Sequence, residues 1–451
     1  MTTSTPVREP VQNACKLCAP LGACLALRGV RGSMPLLHGS QGCSTYIRRY
    51  LIGHFREPCD IPASNFDESA AVFGGEAILT RALANVTRQF APELVGVATT
   101  CLSETIGDDV PALLRKATAE MGPEAPATMH VSTPSYAGTH AEGFHQTVRA
   151  LVAHAVREAP RQSDLVALLP GIVSPVDMRH LRELAQARGM RPVLVPDYGE
   201  SWDGGVWDTW QPLPEGPTGL PEIASLGAAG TVIALGGVLP RGETAADLVA
   251  SRAGCVALHL ELPIGVRATD RFVAALGGDS EAGRPAGLAR ERSRLLDSYV
   301  DAHKQAAGRR IALWGEVDLV VALAGFCYEI GLVPVVCASG SDDRRLGERI
   351  EALRPTGADL PRVLPDSDFV SIEAACREEG IDLLVGNSKG YAMARAMGRP
   401  LLRVGFPVHD RLHGARMRLL GYAGTQELLD RISDALIGAE QADSRVGYTN
   451  Y

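Results

Sequence analysis

Six of the ten cysteines in this 451-residue chain, Cys15, Cys18, Cys24, Cys43, Cys59 and Cys101, fall within the first 101 residues. Thiols at that density can ligate metal, carry redox chemistry or simply pack. Three of them have distinctive settings. Cys18 opens Cys18-Ala-Pro-Leu-Gly-Ala23, Cys43 ends His38-Gly-Ser-Gln-Gly-Cys43, and Cys101 ends Ala98-Thr-Thr-Cys101. Each lies beside Gly, Pro or a strand end, where backbone comes close to a bound group and its N–H groups can face that group. Iron–sulfur clusters are held by thiolates and tuned by hydrogen bonds to sulfur, and thiolates from three loops can converge on one cluster. Two other readings stay open. Cys15-Lys-Leu-Cys18 has the spacing of half a zinc site, although no second CxxC or paired CxxH follows at finger spacing. Free cysteines also pack as small hydrophobes, which is the reading for Cys24, Cys59, Cys255, Cys327, Cys337 and Cys376.

The elements that must position these thiols alternate between short apolar runs and longer helical stretches. Strands are expected at Leu94–Thr100, Asp164–Pro170, Pro192–Pro196, Thr231–Leu235, Arg310–Trp314, Leu332–Cys337, Asp382–Gly386 and Leu401–Gly405. Asp108, Asp109 and Pro111 stand where a helix start wants acidic caps and an early proline, and helices are expected over Val110–Met121, Val176–Arg188 and up to Ile330. Strand, loop, helix, strand at this rhythm means βαβ units and mainly parallel sheets. Gln211–Pro221 and Gly277–Gly287 read as surface loops, the second near a domain junction. Gly386-Asn-Ser-Lys-Gly390 lacks the phosphate-loop spacing and reads as a strand-to-helix turn.

Composition narrows the class. Hydrophobic residues make up 46% and charged residues 21%, the profile of a folded globular protein. A net charge of −8 offers no electrostatic footprint for nucleic acid or an anionic membrane. No run of about 18 apolar residues marks a membrane span, and residues 1–12 lack the apolar region of a secretory signal. The chain therefore reads as a soluble cytoplasmic protein, where clustered cysteines more often mean metal or redox chemistry than disulfides. At about 150 residues per domain, its length allows about three domains.

Five motifs in order resemble the nitrogenase component 1 superfamily, and within it the β-type (K) subunits. They are Cys18-Ala-Pro-Leu-Gly-Ala, His38-Gly-Ser-Gln-Gly-Cys43, His54-Phe-Arg-Glu-Pro58, Ala71-Val-Phe-Gly-Gly75 and Thr99-Thr-Cys-Leu-Ser-Glu-Thr-Ile-Gly-Asp-Asp109. The cysteine intervals also agree, 25 residues from Cys18 to Cys43 and 58 to Cys101. Further matches at Thr133-Pro-Ser135, Gly138-Thr-His140, Leu262-Pro-Ile-Gly265 with Asp270, and Gly386-Asn387 with Val404-Gly-Phe-Pro407 extend the resemblance over nearly the whole chain. It implies an α/β fold of three Rossmann-like domains, placed at 1–160, 161–305 and 306–451. It implies an α-type (D-like) partner in an α2β2 heterotetramer and an [8Fe-7S] P-cluster at the subunit interface. By position Cys18, Cys43 and Cys101 are its ligands on this side. Ser135 falls where β subunits carry a serine able to ligate the oxidised cluster, or is simply a turn residue. Phe73, beside Gly74-Gly75, matches the apolar spot where a homodimeric [4Fe-4S] ATPase reductase docks; its plainer reading is core packing. Arg56 and Glu57 match a polar spot at the subunit interface, or form a structural ion pair.

The same resemblance places the [Fe8S9C]-type cofactor in the α subunit, on a Cys/His pair that does not map here. Cys255 lacks the α-type surroundings, and His409 and His413 lie in a β-type ending. No catalytic residue is assigned to this chain, whose expected role is electron relay. Ile47-Arg-Arg-Tyr50 and Asp60-Ile-Pro-Ala-Ser-Asn-Phe66 resemble a nitrogenase-like clade that includes the methylthio-alkane reductases, which cleave C–S bonds. The alternatives are the N-type subunit of the scaffold that assembles the nitrogenase cofactor and the β subunit of a dinitrogen-reducing nitrogenase. The short N-terminus favours the scaffold or a nitrogenase-like enzyme, whereas the full set of three cysteines favours an enzyme.

Overall fold

Among the described residues of the computed structural model, every strand belongs to one of three parallel sheets. The structure describes residues 12–277 and 285–447. The first sheet is β1 (Ser33–His38), β2 (Leu94–Thr99) and β3 (Ala127–Val131), in that order. The second contains β4 (Gln162–Leu169), β5 (Arg191–Leu194), β6 (Ala229–Leu235) and β7 (Ala257–Leu260), ordered β5-β4-β6-β7. The third contains β8 (Arg310–Trp314), β9 (Val333–Ala338), β10 (Arg362–Leu364), β11 (Leu383–Gly386) and β12 (Leu401–Arg403), ordered β10-β9-β8-β11-β12. Parallel strands need crossovers, and helices supply them, so the central strands are buried on both faces. That is why β2 and β8 read as near-continuous apolar runs.

The first sheet carries seven helices: α1 (Ala19–Leu27), α2 (Gln41–Phe55), α3 (Glu68–Phe73), α4 (Glu76–Phe90), α5 (Cys101–Ile106), α6 (Val110–Met121) and α7 (His140–Ala155). All nine residues of α1 are buried, as an all-apolar helix must be. It packs on α7 at unusually close range. A Cβ on Gly22 would lie 1.8 Å from His140 O, and one on Gly143 would lie 2.1 Å from Ala19 O. The N-terminal segment then crosses to the third sheet, where Ala14 bridges Asp368. Among the described residues, no helix is long and apolar enough to cross a membrane.

Several expectations are corrected. β1 is not among the expected strands; it contains Pro35 and lies at a sheet edge, where proline is tolerated. β3, β7 and β10 also fell outside the sequence pattern. Asp109 caps α6 by accepting from Ala112 N–H, but Asp108 does not. Leu220 and Pro221 open a short helix instead of ending a loop. Most of the Gly277–Gly287 loop, and residues 1–11 of the signal-peptide reading, lie outside the described residues.

Candidate metal-cluster site

Cys43, Cys101 and Ser135 all follow the carboxyl ends of strands in the first sheet. β1 leads into α2, which holds Cys43 in its first turn; β2 leads to Cys101, the first residue of α5; β3 leads to the turn containing Ser135. The crevice beyond the carboxyl ends of parallel strands is where α/β folds bind ligands. Cys18 joins them as the N-cap of α1, with extended backbone, and bridges Thr139 at the start of α7. All three thiols therefore stand at helix starts, where unpaired N–H groups favour a negative sulfur.

These four residues line one cavity of about 530 Å³. Leu17, Leu21, Tyr46, Ile47, Tyr50 and Leu102 supply most of the rest of its wall, with the lysines Lys16 and Lys389; no Asp or Glu lines it. Cys18, Cys43 and Cys101 are half-buried. Ser135 N–H donates to Cys101 Sγ at 3.3 Å, and Ser40 Oγ–H to Cys43 Sγ at 3.5 Å. Burial pushes the Cys18 thiol up, the Leu21 N–H pulls it back, and the approach of Cys43 and Cys101 raises it further. A cationic occupant reverses that mutual repulsion.

Contacts centred on His38 and His140 hold the thiol-bearing segments in place. His38 O accepts from Thr100 N–H at 3.3 Å and from Ser103 Oγ–H at 2.7 Å, tying the end of β1 to the start of α5. A Cβ on Gly39 would lie 2.2 Å from Thr100 Oγ1, so the motif glycine permits this approach. Leu17 N–H donates to His140 Nδ1 at 3.3 Å, and His140 Nε2 faces Glu316 at 2.9 Å, which anchors the Cys18 segment.

The other cysteines go elsewhere. Cys15 is buried in a separate core with Trp314 and Phe369. Cys24 and Cys59 are buried in the main core. Burial pushes the Cys15 thiol up to about 12 and Cys59 to about 11, and lifts Cys24 well above its usual range. Cys15 and Cys18 thus face different surroundings and do not form half of a zinc site. Among the described residues no three His, Cys, Asp or Glu converge on a single metal ion. Three thiols spread around a cavity of this size would suit a polynuclear cluster better than a single metal ion. The two wall lysines suit its negative charge. Cys255 packs against the core as a small hydrophobe, half-buried after the left-handed Gly254 cap.

Phe73 is not a core residue. It ends α3 at 86% exposure, beside Val72 at 74%. Gly75 behind it donates its N–H to both oxygens of Asp108 at 3.1 and 3.2 Å. Asp108 meets His38 Nε2 at 3.1 Å, and His38 Nδ1 meets Ser64 Oγ at 3.0 Å. The exposed tip of α3 is thereby braced on the strand that leads to Cys43. Arg56 does not pair with Glu57; it caps α2 and donates to His409 O at 2.8 Å. Sequence reasoning missed the cavity lysines. Lys389 sits in the glycine-flanked turn already noted, but its reach depends on a fold that brings residues 389 and 18 together.

The nitrogenase molybdenum-iron protein beta chain of Clostridium pasteurianum is 33% identical over 427 residues, spanning 94% of this chain and 93% of its own. The nitrogenase iron-molybdenum cofactor biosynthesis protein NifN of Bradyrhizobium diazoefficiens is 31% identical over 450 residues, spanning 98% and 93%. A chain of the solved structure of nitrogenase Cp1 at pH 6.5 superposes with a TM-score of 0.92 at 31% identity, covering 99% of this chain and 98% of that one. The description of the nitrogenase component 1 type oxidoreductases matches residues 18–437, and the chain belongs to that family.

Proposed function

We propose that this chain is the β-type, electron-relaying subunit of a nitrogenase-like reductase. In this reading Cys18, Cys43 and Cys101 hold its side of an [8Fe-7S] P-type cluster, shared with an α-type partner in an α2β2 heterotetramer. The observation that carries it is the gathering of these thiols and Ser135 around one cavity without carboxylates. When bound there, such a cluster supplies one-electron storage and transfer. The chain's own residues do the rest. The N–H of Ser135 stabilises charge on the Cys101 sulfur. The apolar wall keeps water away, which strengthens each of these interactions. The Ser135 hydroxyl offers a hard oxygen ligand suited to more oxidised iron. Three thiols are few for such a cluster, and Tyr46, which lines the cavity, is 61% exposed and left for the partner to cover. Phe73 is the docking point for a homodimeric [4Fe-4S] ATPase reductase.

The substrate cofactor, of the [Fe8S9C] type, belongs to the α-type partner, and the reaction we favour is C–S cleavage of methylthio-alkanes. The two stretches that carry this resemblance are neighbours. Ile47 and Tyr50 line the thiol cavity, and Arg48 approaches Asp60 at 4.0 Å. The similarity to NifN supports a second reading, a scaffold subunit for cofactor assembly. Anaerobic co-purification with the partner separates them. Methanethiol release from a methylthio-alkane, with ATP and reductase, supports the favoured reading. Transfer of cofactor to an apo-enzyme without turnover supports the scaffold, and acetylene reduction without methanethiol points to a dinitrogen-type enzyme.

A further inference from the structure

The turn Gly386-Asn-Ser-Lys-Gly390 owes its glycines to Trp314. A Cβ on Gly386 would fall 2.4 Å from the indole, and one on Gly390 2.3 Å. The turn is rigidly braced. Asn387 is buried, accepts from Trp314 Nε1–H at 3.3 Å and from Lys389 N–H at 3.2 Å, and donates to Phe406 O at 3.2 Å. What the turn delivers is the Lys389 side chain, which reaches the wall of the thiol cavity. Its ammonium donates to the carbonyls of Ala14 and Lys16, the latter at 3.2 Å, just before Cys18. An ammonium has three donors and no acceptor, so one N–H is left over by the two carbonyls, on a side chain that lines the cavity and whose charge is also felt by the buried Cys15. The other wall lysine, Lys16, is paired with Asp366 at 2.8 Å. Lys389 has no carboxylate partner of this kind among the described residues, and no Asp or Glu lines the cavity.

We propose that Lys389 is a positioning residue for charge: it raises the electron affinity of the cluster held by Cys18, Cys43 and Cys101. This rests on the reading given above under the proposed function. Net charge is one of the levers that set iron–sulfur potentials. A fixed cation in an apolar wall acts far more strongly than the same charge in water. Each electron a cluster accepts makes it more negative, so a neighbouring cation favours the reduced form. The rival role is mechanical: Lys389 only ties the Ala14–Lys16 segment to the third sheet.

Two substitutions separate these roles. Lys389→Gln keeps a donor for the carbonyls and removes the charge; Lys389→Arg keeps both. The heterotetramer is purified anaerobically with its α-type partner, iron is counted, and the cluster is titrated against redox mediators by EPR. The Gln variant should keep parental iron while its one-electron equilibrium falls about tenfold, a midpoint about 59 mV lower. The Arg variant should stay at the parental midpoint. An unmoved midpoint in the iron-replete Gln variant overturns the proposal, as does an equal fall in both variants. Iron lost from the Gln variant alone overturns it in favour of the mechanical tie. An iron-free parental complex would instead sink the cluster reading itself.

Discussion

Cys24 lies six residues from Cys18, and Cys59 sixteen from Cys43, yet both are sealed in the main core and protonated by burial. Cys24→Ala removes a small packed group and should cost about 1 kcal/mol in denaturant titrations, with iron content unchanged. His54 gives a second residue-scale prediction. It is buried between Phe55 and Phe406, at ring distances of 4.5 and 4.8 Å, with Nδ1 accepting from Val408 N–H at 2.9 Å. Burial pulls it from the ordinary 6.5 down to about 3. The unfolded chain takes up this proton near pH 6.5, whereas the folded chain does so only near 3. Stability therefore falls as pH drops through that window, by up to about 1.4 kcal/mol per pH unit from this group. His54→Asn, which keeps an acceptor for Val408, should flatten the slope of unfolding free energy between pH 6.5 and 5. An unchanged slope would remove His54 as its source. The cavity thiols were legible in sequence because their Gly and Pro neighbours are local. Lys389 was not, because its role comes from a contact spanning more than 370 residues.

Among the elements, α1 and α7 matter most to the site, since their crossing sets where Cys18 stands. Gly22 and Gly143 leave no room for a side chain. Gly143→Ala should overpack the crossing and destabilise by about 1–3 kcal/mol, read as a lower melting temperature, and should loosen iron with it. A variant with parental stability would mean that the helices can part without cost. The apolar strands β2, β4, β6, β8 and β9 could be read from sequence within a residue or two because burial on both faces writes a continuous run. β10 has three residues, none of them buried, and β7 is half-exposed, so neither writes such a run. Asp108 looked like a cap because it precedes a helix; its carboxylate instead answers the Gly75 N–H and His38, partners 33 and 70 residues away.

For the whole molecule, one small sheet joins an exposed apolar tip to a half-open cavity. Phe73→Ala removes a side chain already in solvent, so stability and iron should not change, while binding of the reductase, read as an apparent Kd, should weaken. Iron lost in that variant would make Phe73 part of the site's support. The central claim is that three half-buried thiols, and not their buried neighbours, hold metal. It is tested most directly by counting iron in the anaerobically purified heterotetramer across single Cys→Ala variants. Cys18→Ala, Cys43→Ala and Cys101→Ala should each lose interface iron and reductase activity together, while Cys15→Ala, Cys24→Ala and Cys59→Ala keep both. Undiminished iron and full activity in Cys43→Ala would contradict that claim.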